Sequence, residues 1–414
     1  MKIKFYTLGC KVNQYDTQSI RERFLAHGFK EARGPGKSDC YLINTCTVTA
    51  MADQKSRRLI RHCISENPQA KVIVTGCMVK NDSGELAGIR GVSLIISKSF
   101  FSEGISDFSS HTRAFLKIQD GCDNFCSYCK VPLARGRSRS RPLTDVIKEA
   151  RALAEKGFKE IVLTGICLGS YGKDLGKGIG LAMVIEEMEK IEGLSRIRLS
   201  SIEAGDITEP LIDKMSKSKK LCRHLHIPLQ SGDDDILKKM RRKYSRKFYL
   251  DLIKRIKAKI PQIAITTDCL VGFPGEKERN FRNTLDLINS ILPLRAHIFP
   301  YSPRKGTSAY LKAVHLGFSS PELVRRRVAV LKSAASLCSD KYKKRFLGRT
   351  MLVLFEGKSR AMRGCWEGYT DNYIKVIFRS RRNLKNRLVY VKLKGIFGDA
   401  VLASRKKGDV STFF

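Results

Sequence analysis

Three cysteines within one short loop are the first groups in this chain with an evident chemistry. Gly121-Cys122-Asp123-Asn124-Phe125-Cys126-Ser127-Tyr128-Cys129 spaces its thiols as C-x3-C-x2-C. Iron–sulfur clusters normally take four cysteines, so three from one loop can hold three irons of a cubane and leave the fourth open. An open coordination position is a place for substrate, by the logic that separates catalytic from structural zinc. A structural zinc knuckle is the competing reading, but it needs a fourth Cys or His close by, and the loop contains none.

A second set of thiols is scattered along the first hundred residues. Lys2–Leu8, Asp39–Asn44 and Lys71–Gly76 are short apolar runs that read as strands, with helical patterns near Gln14–His27 and Thr49–Glu66 between them. That alternation predicts a parallel α/β sheet. Each strand is followed almost at once by a cysteine: Cys10, Cys46 and Cys77. Loops after parallel strands share the carboxyl edge of the sheet, where ligands bind. Buried core cysteines are the plainer alternative, yet the same placement after three strands favours ligands. The chain has 13 cysteines, an odd number in a large protein, which argues against a disulfide scaffold. Cys40, Cys63, Cys167, Cys222, Cys269, Cys338 and Cys365 read as structural thiols.

The elements that must position the C-x3-C-x2-C loop form a second alternation, after a Ser- and Phe-rich linker at Ser97–Ser110. Strand-like runs at Ala114–Gln119, Glu160–Thr164, Arg196–Ser200, His224–Pro228, Ile263–Val271 and Arg295–Pro300 are separated by helical patterns. Six β/α repeats predict a full or partial barrel of the TIM type, with its chemistry in the loops after the strands. From about Leu347 the pattern changes again. Arg349–Glu356, Tyr373–Phe378, Leu388–Phe397 and Ala400–Ser404 read as strands of a small antiparallel barrel. The expected division is therefore 1–107, 108–346 and 347–414.

Composition points to the partner. The 414 residues carry 78 Lys and Arg against 40 Asp and Glu, a formal charge of +38. Such an excess implies a polyanion, and nucleic acid is favoured over a membrane because no basic amphipathic helix dominates. No apolar run approaches the length of a membrane span, and the first residues are too short and interrupted for a signal peptide. A cytoplasmic location is the expectation. Two basic segments stand out. Arg135, Arg137, Arg139 and Arg141 alternate along one segment, which if extended makes a phosphate-binding stripe. Arg379, Arg381, Arg382, Lys385 and Arg387 cluster in the tail, with Arg405-Lys406-Lys407 beyond them.

The loop around Cys122 resembles the signature of the radical S-adenosylmethionine (SAM) superfamily. Together with Thr7-Leu8-Gly9-Cys10-Lys11-Val12-Asn13 and Ile43-Asn44-Thr45-Cys46-Thr47-Val48, the whole chain resembles the methylthiotransferases. Ser200-Ser201-Ile202-Glu203-Ala204-Gly205, His224–Gly232 and Phe299–Thr307 look most like the MtaB type of that family, which acts on N6-threonylcarbamoyladenosine in tRNA. The resemblance implies an N-terminal methylthiotransferase domain, a radical SAM barrel and a C-terminal TRAM domain that binds RNA. It implies two 4Fe-4S clusters, one on Cys122, Cys126 and Cys129 that chelates SAM, and one on Cys10, Cys46 and Cys77 that binds the sulfur to be transferred. Reductive cleavage of SAM would supply the radical that attacks an aromatic C2–H bond, which no side-chain base could usefully deprotonate. Gly165, Ser201, Glu203, Gln230, Ser231 and Gly272, at the strand ends, are expected around SAM. Arg304 and Lys305, beside the last strand, are expected to meet the carboxylate of the threonylcarbamoyl group or a phosphate. The implied partners are the anticodon stem-loop of tRNA, a reductant and a sulfur donor. The alternatives are a methylthiotransferase for isopentenyladenosine, one for an aspartate of a ribosomal protein, and an RNA-binding protein whose metal sites are purely structural.

Overall fold

Apolar residues recur in the N-terminal third as the parallel-sheet expectation requires. In the computed structural model, which describes residues 1–81, 83–97, 104–108, 111–176 and 178–405, five strands order as β2-β1-β3-β4-β5. They are β1 (Lys2–Thr7), β2 (Lys30–Glu31), β3 (Cys40–Thr45), β4 (Lys71–Gly76) and β5 (Val92–Ile95), all paired in parallel. Every residue of β3 is buried, as a central strand covered on both faces must be. Helix α1 (Lys11–Ala26) follows β1 directly, and α2 (Ala50–Glu66) follows β3. The Thr49 hydroxyl accepts from the Ala52 N–H at 3.1 Å and so caps α2. Most of the linker predicted at Ser97–Ser110 lies outside the described residues.

Six parallel strands follow: β6 (Ala114–Lys117), β9 (Glu160–Thr164), β10 (Arg196–Leu199), β11 (His224–His226), β12 (Ala264–Val271) and β13 (Arg295–Pro300). A short antiparallel pair, β7 (Gln119–Asp120) and β8 (Arg139–Ser140), lies beside them. Strands β6, β9 and β10 form one sheet and β11, β12 and β13 another. Single bridges at Ile197–Leu221 and Ser201–His226 join the two between β10 and β11. Among the described residues no pairing joins β6 to β13, so the barrel is partial. Alternate residues divide the two faces. Ile161, Leu163, Ile197, Leu199, Leu225 and Ile265 pack into the main core. Glu160, Arg198, His224, His226, Thr266 and Asp268 fall on the concave face, where a closed TIM barrel would stack aliphatic layers. Helices Ser308–Leu316 and Pro321–Lys344, absent from the sequence expectation, complete this domain.

The tail is a closed five-stranded barrel, β14 (Thr350–Lys358), β15 (Cys365–Thr370), β16 (Lys375–Arg379), β17 (Arg387–Phe397) and β18 (Ala400–Ser404). Two details correct the expectation. Cys365–Thr370 is a fifth strand, and β16 pairs with β18 in parallel rather than antiparallel. Lys406 and Lys407 of the terminal basic cluster lie outside the described residues. The tail is anchored on the foot of the central barrel. Ala264, Leu294, Tyr342 and Phe346 share one apolar cluster with Val353, Phe355 and Val389. The loop after β15 presses Tyr373 against Arg198 (4.6 Å, ring centroid to guanidinium carbon) and against the His224 ring (4.5 Å).

Glu160 holds this junction together. It is fully buried and receives Arg198 at 2.6 Å, with Arg113 and Arg196 each at 3.7 Å. Arg198 also donates to the Asp371 and Thr370 carbonyls of the tail. Burial alone would raise the Glu160 carboxyl, but Arg198 and Arg113 outweigh it and hold the group at about 2. A folded-state value below the ordinary one gives stability that is complete above about pH 5 and is lost as pH falls towards the folded value. Glu160→Ala removes the carboxylate that pairs with Arg198, leaving that buried guanidinium only its main-chain acceptors, and is expected to cost on the order of 3–5 kcal/mol, seen as a fall in the unfolding midpoint. An unchanged midpoint would show that the arginines find other partners.

Candidate active site

Both cysteine sets sit where strands end. Cys10 follows β1, Cys46 follows β3 and Cys77 follows β4, and these three strands are neighbours in the sheet. Gly9 has φ +102°, and a Cβ there would lie 2.9 Å from the Cβ and Sγ of Cys46, so glycine lets the Cys10 loop close against Cys46. Asn13, fully buried on the first turn of α1, ties the three loops together. Its amide donates to the Leu8 carbonyl at 2.7 Å and the Thr45 carbonyl at 2.9 Å, and its Oδ1 accepts from the Cys77 thiol at 3.7 Å. Cys10 is exposed, while Cys46 and Cys77 are buried.

The C-x3-C-x2-C loop leaves β7 and is held from several directions. Gln119 Nε2 donates to the Asp120 and Gly121 carbonyls, and its Oε1 accepts from the Cys167 N–H at 2.8 Å. Gly121 has φ +74°, and a Cβ there would meet the Arg137 carbonyl oxygen at 1.9 Å, so no other residue fits without moving the loop. Donors point at each sulfur: the Asn124 N–H at Cys122 (3.5 Å), the Val131 N–H at Cys129 (3.4 Å) and the Arg242 guanidinium at Cys126 (3.3 Å). Donors aimed at sulfur favour the thiolate form that a metal cluster requires. Burial pushes the Cys129 thiol up to about 11, whereas a hydrogen bond from Cys167 holds Cys122 below its ordinary value. Among the described residues no three Cys, His, Asp or Glu side chains form a site for a single metal ion. Corners of a cubane lie apart, and ligands to separate irons need not converge on one point. The residues present fit a cluster.

Arg135 joins the two cysteine sets. It ends the short helix Val131–Arg135 that follows Cys129, and this helix packs on the helix Cys77–Asn81. Its guanidinium binds Asp120 at 2.6 and 2.8 Å, the Asn13 Oδ1 at 2.6 Å and Asp16 at 3.2 Å. Lys117 completes the network with Asp16 at 2.5 Å.

These contacts correct the expected four-arginine phosphate stripe. The Arg135 side chain is 1% exposed. Arg141 turns inward to Glu149 at 2.7 Å, to the Tyr15 hydroxyl and to the Lys117 carbonyl. The backbone is helical up to Arg135 and extended only at Arg139–Ser140, so the four arginines do not share a side. Arg137 and Arg139 remain exposed, Arg137 lying over the Phe125 ring and beside Asp123. Arg304 is corrected likewise. It is 5% exposed and bound to Asp53 and Thr47 of the N-terminal domain, which leaves Lys305 as the exposed cation of that pair. Arg379, Arg381, Arg382 and Lys385 are exposed.

Of the residues expected around SAM, Ser201, Glu203 and Gln230 are partly exposed at strand ends. Glu203 pairs with Arg242, the same guanidinium that donates to Cys126, and burial raises its carboxyl. Ser231 is fully buried and contacts Thr284 and the Asp233 N–H, which makes it a turn residue. A Cβ on Gly272 would strike Val324 at 2.6 Å, and one on Gly165 would strike the Gln119 Oε1 at 2.8 Å. Both glycines make room for protein atoms rather than for a ligand. Sequence reasoning missed Asn13, Gln119, Arg242 and the position of Cys167. Cys167 touches Asn124 (3.6 Å), Ser170 (3.1 Å) and Asp206 (3.6 Å) besides Cys122. None of these residues has a spacing that marks it, because each acts across the fold.

Comparison with known proteins decides the family. Residues 116–288 match the radical SAM superfamily, and residues 2–97 match the uncharacterized protein family UPF0004. The chain is 38% identical to the threonylcarbamoyladenosine tRNA methylthiotransferase MtaB of Bacillus subtilis, over 94% of this chain and 93% of that protein. It is 35% identical to a tRNA-2-methylthio-N(6)-dimethylallyladenosine synthase of Clostridium tetani, over 94% and 92%. The chain belongs to the radical SAM methylthiotransferases. It is a SAM-using transferase, and its superfamily carries a 4Fe-4S cluster. The fold agrees with that of the radical SAM methyltransferase TsrM from Kitasatospora setae, at a TM-score of 0.55 and 14% identity over 76% of this chain and 77% of the other.

Arg242 gives the first test of the cluster loop. A guanidinium donating to a ligand sulfur stabilises the reduced, more negative cluster and raises its potential. Arg242→Gln is expected to keep the iron content and to shift the midpoint potential downward, with Arg242→Lys in between. Redox titration of the reduced cluster's electron paramagnetic resonance signal reads this, and an unmoved potential would exclude the role.

Proposed function

We propose that this enzyme places a methylthio group on C2 of N6-threonylcarbamoyladenosine, the base 3′ of the tRNA anticodon. The observation that carries the reading is the Asn13–Arg135 contact, which joins the carboxyl edge bearing Cys10, Cys46 and Cys77 to the loop bearing Cys122, Cys126 and Cys129. In this reading Cys122, Cys126 and Cys129 hold the SAM-binding 4Fe-4S cluster, and Cys10, Cys46 and Cys77 hold a second one. When bound, the clusters and SAM supply the electron, the hydrogen-abstracting radical, the sulfur and the methyl group. The chain's own residues do the positioning. Asn13 and Arg135 hold the two edges together, Gln119 braces the loop, and Ser201, Glu203 and Gln230 border the SAM site.

The MtaB-named relatives support the threonylcarbamoyl substrate, and so does the chemistry of the concave face. A pocket for an isopentenyl group would be a hydrocarbon slot. Here His226 meets Asp268 at 3.1 Å and Thr266 at 2.9 Å, with His297 beyond, so the face is lined by hydrogen-bonding groups where a hydrocarbon substituent calls for apolar ones. The exposed rings of His297 and Phe299 lie nearly parallel, 6.3 Å apart, on the open edge strand β13, and offer a surface for a base. Exposed Arg379, Arg381, Arg382 and Lys385 of the tail, with Arg137, Arg139 and Lys305, are assigned to tRNA phosphates. A cellular reductant and a sulfur donor complete the reaction, which belongs in the cytoplasm with its substrate. No helix among the described residues is long and apolar enough to cross a membrane.

Two measurements test this. The reconstituted enzyme, given reductant and SAM, is offered two tRNAs differing only in the threonylcarbamoyl or isopentenyl group, and products are read by nucleoside mass spectrometry. Turnover of the threonylcarbamoyl form is expected, whereas preference for the isopentenyl form would overturn the substrate assignment. In the same assay, replacing Cys10, Cys46 and Cys77 by Ala is expected to halve the iron, to spare some SAM cleavage and to abolish methylthiolation. Separately, replacing Arg379, Arg381, Arg382 and Lys385 by Gln is expected to weaken tRNA binding and to reduce the log–log salt slope by about 3. An unchanged slope would mean that these side chains are merely solvated.

A further inference from the structure

Between the foot of the central barrel and the tail lies a cavity of about 250 Å³ that belongs to neither cysteine site. Arg295 of β13, Lys332, Ser336, Ser339 and Lys343 of the helix Pro321–Lys344, and Lys375 of β16 supply its polar lining. The four helix residues recur at intervals of four, three and four, which sets them on one stripe of the helix. The adjoining stripe, Leu331, Ala335, Cys338 and Tyr342, is buried. Four cations thus share the cavity with one carboxylate, that of Asp399.

Their partners are unequal. Lys375 divides itself between Asp399 and Glu367, each at 3.6 Å. Lys343, whose side chain is 4% exposed, meets Asp340 at 3.2 Å and the Gly398 carbonyl at 3.4 Å. Arg295, partly exposed, and Lys332, exposed at the rim, form no hydrogen bond or ion pair with any described residue. A concavity lined by one sign of charge concentrates its field and draws in an anion. A guanidinium fork, an ammonium group and two hydroxyls match the several oxygens of a phosphate.

The strand that carries Arg295 ties this cavity to the reaction end of the barrel. Arg295, His297 and Phe299 lie opposite Thr266, Asp268 and Leu270 of β12 and alternate along one face of β13, which is the edge of its sheet. At about 3.3 Å per residue, Arg295 stands roughly 13 Å below Phe299 along the strand. A nucleic acid whose base lies on the His297 and Phe299 rings therefore has its backbone within reach of the cavity.

We propose that this cavity is a pocket for one backbone phosphate of the tRNA, held chiefly by Arg295 and Lys332. This rests on the tRNA reading above and adds to it a phosphate clamp separate from the exposed arginines of the tail. Lys343 and Lys375, already paired, fix the walls, and the bound phosphate offsets the excess of positive charge. A free nucleotide offers the same phosphate chemistry, so the test separates the two sources.

Anticodon stem-loop RNAs with one neutral methylphosphonate at successive positions are titrated with the full-length, cluster-reconstituted protein and with its Arg295→Gln/Lys332→Gln variant. With the unaltered protein, one position or two adjacent ones are expected to lose binding about tenfold. In the double variant that loss disappears, and the log–log salt slope for the unsubstituted RNA falls by about 1. Lys332→Gln alone, a change at an exposed helix position, should shrink the same loss in part and leave the unfolding midpoint, iron content and SAM affinity unchanged. The same methylphosphonate profile in all three proteins overturns the pocket and leaves the tRNA reading standing. Binding of adenosine monophosphate that the variants lose, with an unchanged RNA profile, gives the cavity to a free nucleotide and overturns the backbone assignment. Failure of the unaltered protein to bind any tRNA stem-loop overturns both.

Discussion

The buried guanidinium of Arg135 is the constraint on which the rest of the site depends. It belongs to the segment that follows Cys129, yet three of its partners, Asn13, Asp16 and Asp120, come from α1 and from the strand that introduces the cysteine loop. A charge that deep is tolerated only when nearly every donor is used and the acceptors are ionised or well oriented. Asn13 in turn fixes the ends of β1 and β3 and touches Cys77. One network therefore sets the spacing between two cysteine-bearing edges that belong to different sheets. Hydrophobic contact alone would not do so, because it has no directional preference.

A second network works at the other end of the barrel. Glu160 gathers Arg113, Arg196 and Arg198, and these carry the contact to the tail through main-chain carbonyls and the Tyr373 ring. The tail is thus part of the barrel's floor as well as a basic surface. Its attachment explains why the concave face is polar. The arginines that dock the tail lie on strands whose other face is aliphatic, and their charges must be balanced within the enclosed space. The polar lining that results suits a substrate substituent with a carboxylate and amides better than a hydrocarbon.

Much was legible from residues alone. The α/β alternation, the six barrel strands, the position of each cysteine after a strand and the change of character near Leu347 are local patterns with a period of two or a helical period. Local physics produces them, so they survive without tertiary information. Glu160–Thr164, Arg295–Pro300 and Ala400–Ser404 form over the same residues that their apolar runs mark. The strand Cys365–Thr370 was not legible, because Cys365-Trp366-Glu367-Gly368-Tyr369-Thr370 carries a charge and a glycine inside it. Gly368 is required there, since a Cβ would meet the Leu354 carbonyl oxygen at 2.2 Å.

The sequence by itself determined the fold class, the family and the six cysteines that its motifs single out, because a thiol's chemistry and a strand's periodicity are properties of short segments. Only the tertiary structure decided what each cation does. Arg135, Arg141 and Arg304 resemble Arg137 and Lys305 in sequence, yet the first three face inward to Asp120, Glu149 and Asp53, while the last two face solvent. Whether an arginine binds phosphate or braces the core depends on which carboxylate the fold brings within a few ångströms, and those carboxylates lie up to 251 residues away along the chain.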